Sequence, residues 1–120
     1  MLEEIGAALQ SKNIATLAVD LFYNSMPSSP DICTTLYQTG GFEPGLNFDK
    51  SSEEKPTFQV MCRGTSQVET NARIQSIYKY LHGNSDIFPF IQAIQSPTSL
   101  GRDANNRWEF SCNFKIIKEL

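Results

Sequence analysis

The sequence predicts an α+β domain in which two helices pack on one face of a mostly antiparallel sheet of about five strands. Residues 58–63 and 108–116 alternate between apolar and polar side chains, which is the period of a half-buried strand. Residues 66–81 carry apolar side chains at spacings of three and four, which is the period of an amphipathic helix. Because such a helix must cover its apolar stripe, the strands supply the face on which it packs. The opposite face of the sheet is fairly polar, so we expect it to meet water or another subunit.

The first 41 residues are predicted to hold one helix and two strands. The helix runs from Leu2 to Lys12, where apolar side chains recur at helical spacing. Residues 13–24 include an alternating segment and are predicted to contain a strand. Residues 25–31 hold two prolines and three serines, which indicates a loop. Residues 32–38 are rich in β-branched and aromatic side chains, which favours a strand that ends at Gly40-Gly41.

Residues 42–55 are predicted to form an exposed loop, because they contain Pro44, Gly45 and a long polar run. Three large apolar side chains interrupt this polar segment: Phe42, Leu46 and Phe48. Either they fold under the loop, or they form an interface that becomes ordered on assembly. We take these three residues as candidates for an assembly interface.

The longer helix has a clear beginning and end in the sequence. Gly64 and Thr65 break the preceding strand, and Ser66 is predicted to cap the helix, with Glu69 three residues later as its capping-box partner. Gly83 is the expected stop after the last periodic residue. His82 lies in the last turn, where the helix dipole favours a cation, so we assign it a structural rather than a catalytic role.

The final third of the chain is predicted to form two more strands. Residues 90–95 form a short strand and residues 96–106 a long hairpin loop, in which Leu100 and the turn at Ser96-Pro97 offer a second exposed surface. Arg102 and Asp103 lie in this loop, where they either bridge locally or contact another subunit, and we take both as interface candidates. The last strand places five apolar residues on one face: Trp108, Phe110, Cys112, Phe114 and Ile116.

Composition excludes several classes of protein. The 120 residues suit one domain spanning the whole chain, and 40% hydrophobic with 19% charged residues is typical of a globular protein. A net charge of −3 argues against a nucleic-acid-binding surface, and no apolar run approaches the length of a membrane span. Glu3 and Glu4 give the N-terminus the wrong charge for a signal peptide.

Residues of the types that form catalytic, metal or phosphate sites do not cluster in this sequence. The three cysteines, Cys33, Cys62 and Cys112, are far apart in sequence, which favours reduced, buried thiols over a disulfide framework. The chain has one histidine and no spacing typical of a zinc or calcium site. Gly40-Gly41 and Gly64 do not form a phosphate-binding loop. We therefore predict no catalytic site, no cofactor and no metal.

Short motifs along nearly the whole chain carry a family resemblance. They are Asp20-Leu21-Phe22, Met26-Pro27, Pro30-Asp31, Leu36-Tyr37, Thr39-Gly40-Gly41, Pro44, Pro56-Thr57-Phe58-Gln59-Val60, Arg63, Tyr78, Leu81-His82-Gly83, Ile94-Gln95-Ser96-Pro97, Gly101-Arg102-Asp103, Arg107, Glu109-Phe110, Asn113-Phe114 and Ile117. With these motifs in this order, the chain resembles bacteriophage minor capsid proteins from phages and prophages of Gram-positive bacteria. That family is similar to the tail terminator, or tail-completion, proteins of long-tailed phages. Residues 47–55 and the N-terminal helix carry least of the resemblance.

The resemblance implies a small α+β subunit that assembles into a ring, typically a hexamer. Such a ring caps the finished tail tube, stops its growth and presents a surface to the head connector protein. It implies a virion protein of the tail or neck, made in the cytoplasm of the bacterial host, with no membrane partner. This role needs no active site. A mildly acidic lumen lets DNA pass without binding, since carboxylates repel phosphates, and the net charge of −3 agrees with this.

Three other interpretations remain at the level of sequence. The first is a head-side neck protein or a tail-tube relative, which differs from a terminator in its binding partner. The second is an enzyme with Cys62 or Cys112 as nucleophile, although both lie on the apolar side of their strands, where a thiolate is disfavoured. The third is a nucleic-acid-binding module, against which the acidic balance argues.

Overall fold

The computed structural model describes residues 2–16, 19–46, 52–85, 87–88 and 90–119, with the backbone alone for residues 40–46, 52–55 and 117–119. Two helices and six strands form the fold. In chain order they are α1 (Leu2–Ser11), β1 (Leu21–Tyr23), β2 (Cys33–Leu46), β3 (Ser52–Gly64), α2 (Gln67–Leu81), β4 (Phe90–Ala93), β5 (Thr98–Arg102) and β6 (Trp108–Glu119). The predicted α+β class is confirmed.

All six strands belong to one sheet, with β2, β3 and β6 at its centre. The order is β1-β2-β3-β6-β4, and β5 pairs with β6 on the same side as β4. Every pair is antiparallel except β1 with β2, which is parallel. β4 pairs with the second half of β6 and β5 with its first half, so one long strand supports two short ones.

The core lies between the helices and one face of the sheet. Ile74, Ile77 and Leu81 of α2 are fully buried and pack on the alternate apolar residues of β3 and β6. Among those strand residues, Phe58 and Phe114 stack with their ring centroids 5.1 Å apart. Ile5 and Leu9 bring α1 into the same cluster. Each such side chain contributes about 1.5–3 kcal/mol when fully buried, so the apolar periodicity of α2 and β6 decides where the two layers meet.

The predicted ends of α2 are confirmed. Ser66 caps the helix, because its hydroxyl accepts the backbone N–H of Glu69 at 3.3 Å. At the other end the N–H of His82 donates to the carbonyl of Tyr78, and Gly83 follows with a φ of 80°. Gly83 thus adopts the left-handed conformation that a helix stop requires.

The predicted loop over residues 42–55 is wrong for residues 42–46 and 52–55, and residues 47–51 lie outside the described residues. β2 continues through Gly40-Gly41 to Leu46, and β3 begins at Ser52, so residues 42–46 and 52–55 form the outer part of a long β2–β3 hairpin. The register shifts between Thr39 and Phe42 and again between Phe42 and Gly45, and such irregularities accommodate glycine and proline in an edge strand. Pairing of β3 with β6 extends to Glu53 and Glu119, which supports the hairpin from the other side.

The structure differs from two further predictions, at residues 98–102 and at residues 13–24. Residues 98–102, predicted as loop, form β5, which pairs with β6 across an irregularity between Ser99 and Gly101; Gly101 has a φ of 86°. The strand predicted within residues 13–24 is limited to Leu21–Tyr23. Both elements are short strands, of three and five residues, so their own side chains specify them weakly.

The hairpin makes the molecule elongated. The Cα extents are 52 × 26 × 22 Å. The 14 residues of β2 span about 46 Å at roughly 3.3 Å per residue, whereas the 15 residues of α2 span about 22 Å. The sheet is therefore longer than the helix that covers it. We call the backbone segments 40–46, 52–55 and 117–119 the arm.

Candidate assembly surface

The face of the sheet that points away from the helices is built from alternate residues of its three long strands. The strand registers place them in rows across the sheet, and the three rows are Thr35–Met61–Ser111, Tyr37–Gln59–Asn113 and Thr39–Thr57–Lys115. Most of these side chains are polar, and Thr39 and Thr57 bond to each other through their hydroxyls at 2.6 Å. This face is therefore mostly polar, and three of its side chains, Thr35, Thr57 and Ser111, are already buried within the single chain.

One end of this face is closed by residues 25–31, which we call the strap. Because Cys62 faces the helices, Arg63 points to the other side, where its guanidinium reaches the strap. It donates to the carbonyl of Pro30 at 2.6 Å and to that of Asp31 at 3.4 Å. Arg63 is only 4% exposed, so a buried guanidinium holds the strap against the sheet.

Arg107, which directly precedes β6, ties the strap to the turn between β5 and β6. Its guanidinium donates to the carbonyl of Ser28 at 2.6 Å and lies 3.3 Å from the carboxylate of Asp31. It also forms a 2.8 Å ion pair with Asp103. Three partners from two separate segments thus meet at one side chain, which is itself buried.

The carboxylate of Asp103 is held entirely by its own turn. It accepts the backbone N–H groups of Arg107 and Asn105, each at 2.9 Å, in addition to the guanidinium of Arg107. The backbone N–H of Arg107 is the largest of the effects that lower the pKa of Asp103. Burial by itself would lower the pKa of Arg107, but its bonds to Asp103 and Asp31 outweigh this and raise it. The local bridge of Asp103 is therefore made with Arg107.

Arg102 has a different environment. Its guanidinium carbon lies 5.2 Å from the centroid of the Trp108 ring, on the neighbouring strand, and the side chain is exposed. Leu100, 51% exposed, lies two residues away in β5. We call Arg102 and Trp108 the Arg102–Trp108 corner. It presents a cation, a half-buried aromatic ring and a sheet edge at one place.

The sheet has two edges on which another strand can pair. β1 pairs with β2 only at residues 34–36, so β2 has no neighbouring strand from Thr39 to Leu46 among the described residues. On the opposite side, β5 is the outermost strand, and Thr98, Ser99 and Leu100 are exposed. Unpaired edges of this kind are templates for pairing with another chain.

The structure separates the predicted interface residues into two places. Phe42 and Leu46 lie in the arm, opposite Lys55 and Ser52, and their side chains are not among those described. Phe48 lies outside the described residues. Arg102 and Asp103 lie at the far end of β6 from the arm. A role for any of them in an interface stays a prediction.

Sequence reasoning missed the two arginines that organise the strap. Arg63 and Arg107 lie at the ends of strands, where a charged residue ordinarily indicates a solvated terminus, so neither spacing nor neighbours mark them as buried. Their presence in the motifs that carry the resemblance was the one available signal. Trp108 was predicted as a core residue, whereas it also supports Arg102.

The thiols are buried and free, as predicted. Burial raises the pKa of Cys62 to about 11 and that of Cys112 to about 11, and it raises the pKa of Cys33. A catalytic thiol needs a shift in the opposite direction, so these values argue against the nucleophile interpretation. Within the described part of the chain, no three potential metal ligands form a group.

His82, to which the sequence assigns a structural role, makes a hydrogen bond at the end of α2. Its Nδ1 accepts the backbone N–H of Ala93 at 3.0 Å, and its ring stacks on Tyr78 with centroids 5.5 Å apart. The histidine joins the end of α2 to β4.

The described surface includes a shallow cavity of about 230 Å³ beside Val68 and Phe110 and one of about 190 Å³ between α1 and Tyr23. Both are smaller than the roughly 300–1,000 Å³ of a typical small-ligand pocket. No described helix has the length and apolar character needed to cross a membrane.

The chain is similar to a family of phage proteins in sequence and to a virion chain in fold. A family model described as bacteriophage tail terminator protein matches residues 8–120. A chain of the solved structure "Virion of native gene transfer agent (GTA) particle" has a TM-score of 0.62 and 9% sequence identity, over 82% of this chain and 78% of that chain. At that identity the likeness shows a shared fold. No curated protein matches the chain.

Proposed function

Because the chain belongs to the bacteriophage tail terminator family, we propose that it forms a ring that ends the tail tube and contributes to joining the tail to the head. The family match carries this proposal, since it runs from the end of α1 through the last strand and includes every strand of the sheet. Membership in this family makes the protein a structural component of a phage virion, at the tail or neck.

The two free edges support a ring. A closed ring needs two different surfaces on each subunit, so that one meets the other on the next copy. The outer edge of β2 and the edge strand β5 lie on opposite sides of the sheet and provide such a pair. The proposed partners are therefore other copies of the chain, typically six in a ring.

The arm and the polar face supply surfaces for other components. The arm extends beyond the helix layer, and we propose that it contacts the tail tube protein, with Phe42, Leu46 and Phe48 at that contact or between subunits. The head connector protein is the proposed partner on the opposite side of the ring. DNA passes through the lumen without specific binding, in agreement with the net charge of −3. The role requires no catalysis and no cofactor.

The test is the mass of the protein in solution, measured by light scattering alone and with purified tail tubes of the same phage. A ring in either sample is the expected result. A ring in the protein alone indicates a preformed assembly, and a ring only on tubes indicates assembly on a template. A monomer that ignores tubes contradicts the terminator role, and binding to the head connector in that case favours a neck protein.

A pair of variants tests the arm. Phe42→Ser removes a large apolar side chain from β2, and we expect it to weaken the ring or its binding to tubes. Val68→Ser removes an apolar side chain that is 79% exposed on α2 and serves as the control. Equal assembly of both variants with the unchanged protein excludes Phe42 from the interface.

A further inference from the structure

We propose that Leu100 and Arg102 of one copy of the chain dock at the cavity between α1 and β1 of a second copy. Leu100 fills the cavity beside Ala7 and Tyr23, and Arg102 binds the carboxylate of Glu3. This inference rests on the proposed ring and names the contact between its subunits.

The cavity follows one face of α1 on the β1 side of the sheet. Its described lining is Glu3, Gly6, Ala7, Gln10 and Tyr23. Glu3, Ala7 and Gln10 follow one another at spacings of four and three, so their side chains share one face of the helix. Gly6 lets Tyr23 approach the helix, because a Cβ at this position would overlap the Tyr23 hydroxyl. The hollow of about 190 Å³ is smaller than a typical ligand pocket and has room for one aliphatic side chain.

Glu3 gives this cavity an acidic rim. The pKa of the exposed Glu3 is lowered, first by its own backbone N–H and then by the N-terminal amino group, so it is ionised at neutral pH. Glu4 is a second exposed acid in the same turn, and the two carboxylates outweigh the one amino group. A carboxylate has about four acceptor sites, so the bonds that Glu3 already makes leave sites for a guanidinium. Lys12, the cation after the other end of α1, lies over the Tyr80 ring.

Arg102 is the exposed arginine of the chain. Arg63 and Arg107 are buried and bonded to the strap, and Arg73 is partly buried and bonds to β2. Arg102 makes no ion pair with any described residue, and its guanidinium lies over the Trp108 ring. A stacked guanidinium keeps its N–H edge free and loses less conformational freedom when it binds a carboxylate.

The carboxylates nearest to Arg102 in the sequence do not neutralise it. Asp103 is held by Arg107 and by two backbone N–H groups. Glu109 follows Trp108 in β6, and successive residues of a strand point to opposite faces. The positive charge of Arg102 is therefore open to a partner.

Leu100 places an exposed apolar side chain beside this cation. It lies two residues before Arg102 in β5 and is 51% exposed. The pairing of β5 with β6 shifts between Ser99 and Gly101, and the extra residue at such a shift has no partner on the neighbouring strand. An apolar side chain next to an arginine matches a small hollow with an acidic rim in both size and charge.

The two surfaces lie on opposite sides of one copy. β1 and β5 are separated by β2, β3 and β6, and four strand spacings of about 4.8 Å give roughly 19 Å. Both surfaces belong to the helix side of the sheet, because α1 and Trp108 pack against the core. A contact between them must therefore join different copies. Because it joins two unlike surfaces, it is the type of contact that closes rings when the rotation permits.

The first experiment is a charge exchange read by light scattering of the full chain, with and without purified tail tubes. We expect Arg102→Glu to raise the protein concentration needed for half assembly by about tenfold, as loss of a close charge pair does. Glu3→Arg should act in the same direction. Combining the two changes should restore assembly, because each contact then joins opposite charges again.

Two controls make the same changes of charge elsewhere. Lys79→Glu lies at an exposed position of α2, and Glu4→Arg lies next to Glu3 but outside the lining of the cavity. Both should assemble at the same concentration as the unchanged protein. Circular dichroism shows whether each variant folds, and Arg102→Gln or Glu3→Gln replaces a variant that does not fold.

The second experiment is a cross-link between neighbouring copies. The double variant Leu100→Cys with Ala7→Cys places two thiols across the contact, whereas the three native thiols are buried. A disulfide requires Cα atoms within about 7 Å, so mild oxidation of the assembled variant should give a ladder of linked copies on a denaturing gel. Each single variant should remain unlinked.

The outcomes separate this contact from the ring itself. If the unchanged protein never assembles, both are wrong. If it assembles and Arg102→Glu assembles equally well, the ring stands and the contact is wrong. If Arg102→Glu assembles poorly and Glu3→Arg does not restore assembly, Glu3 is not the partner. An assembled ring whose thiol pair does not cross-link overturns the place assigned to Leu100.

Discussion

The ion pair of Arg107 and Asp103 holds the β5–β6 turn beside the exposed Arg102–Trp108 corner. Arg107 joins the strap to the β5–β6 turn, and Asp103 accepts three hydrogen bonds within that turn. Arg102 is adjacent in sequence, and the turn sets where it lies on Trp108. The position of the exposed cation thus depends on the buried one.

The first prediction concerns Asp103 and the stability of the folded protein at low pH. The pKa of Asp103 lies below its ordinary value of 3.8 in the folded protein, chiefly because of the backbone N–H of Arg107. A lowered pKa contributes stability that is complete above the ordinary value and is lost as the pH falls through the folded-state value. We expect Asp103→Asn to lower the melting temperature by several degrees near neutral pH. The difference from the unchanged protein should shrink as the pH falls through the folded-state pKa.

Thermal unfolding followed by the fluorescence of Trp108, at a series of pH values from about 7 down to about 3, measures this difference. Trp108 is the single tryptophan of the chain and lies beside the turn. A difference that stays constant over the whole range would show that the charge of Asp103 contributes nothing.

At the scale of elements, α2 is specified locally. Its apolar stripe, its cap at Ser66 and its stop at Gly83 are all present in the sequence and in the structure. Each depends on residues within a few positions of one another. The helix can therefore be predicted without knowledge of the sheet on which it packs.

The cap gives the second prediction. Ser66→Ala removes the hydroxyl that accepts the N–H of Glu69, and we expect the free energy of unfolding to fall by about 1 kcal/mol. Ser76→Ala, in the exposed middle of the same helix, is the control and should change it by less than about 0.5 kcal/mol. Urea unfolding measures both. Equal losses in the two variants would mean that the hydroxyl of Ser66 is not a cap.

The strands of the arm, unlike α2, depend on residues that are far away in the sequence. Its residues include glycines, a proline and a polar run that predict a loop, yet they continue β2 and β3 as paired strands. Their partners lie in the facing strand and in β6, up to 66 positions away for Glu53 and Glu119. Polar residues in an edge hairpin and in a loop are alike in sequence, and pairing over this distance decides between them.

At the scale of the whole molecule, we propose that residues 1–120 form one domain, because both helices and the central strands contribute to one core cluster. Ile77→Ala, at a fully buried position of α2, is expected to lower the free energy of unfolding by about 2–5 kcal/mol. A single domain should unfold in one transition, with helix signal and Trp108 fluorescence shifting together.

Val68→Ala is the control for this third prediction, since its side chain is 79% exposed and the change should stay within about 0.5 kcal/mol. Circular dichroism and fluorescence during urea unfolding provide the two signals. Separate midpoints for the helix signal and for Trp108 in β6 would indicate more than one cooperative unit.

The α+β class, the course of α2 and β6, the burial of the three thiols and, through short motifs, the family can all be predicted from the residues alone. These follow from periodicity, capping and residue type, which act over short distances. Tertiary structure decided the arm, the edge strand β5 and the joining of the strap by Arg63 and Arg107. It also separated Arg102 from Asp103, which are adjacent in sequence but have different partners. The physical reason is that the arm and the two buried arginines meet partners supplied by distant parts of the chain, which no local pattern records. β5 pairs with the next strand, but it has a single large apolar side chain, Leu100, to mark it as a strand.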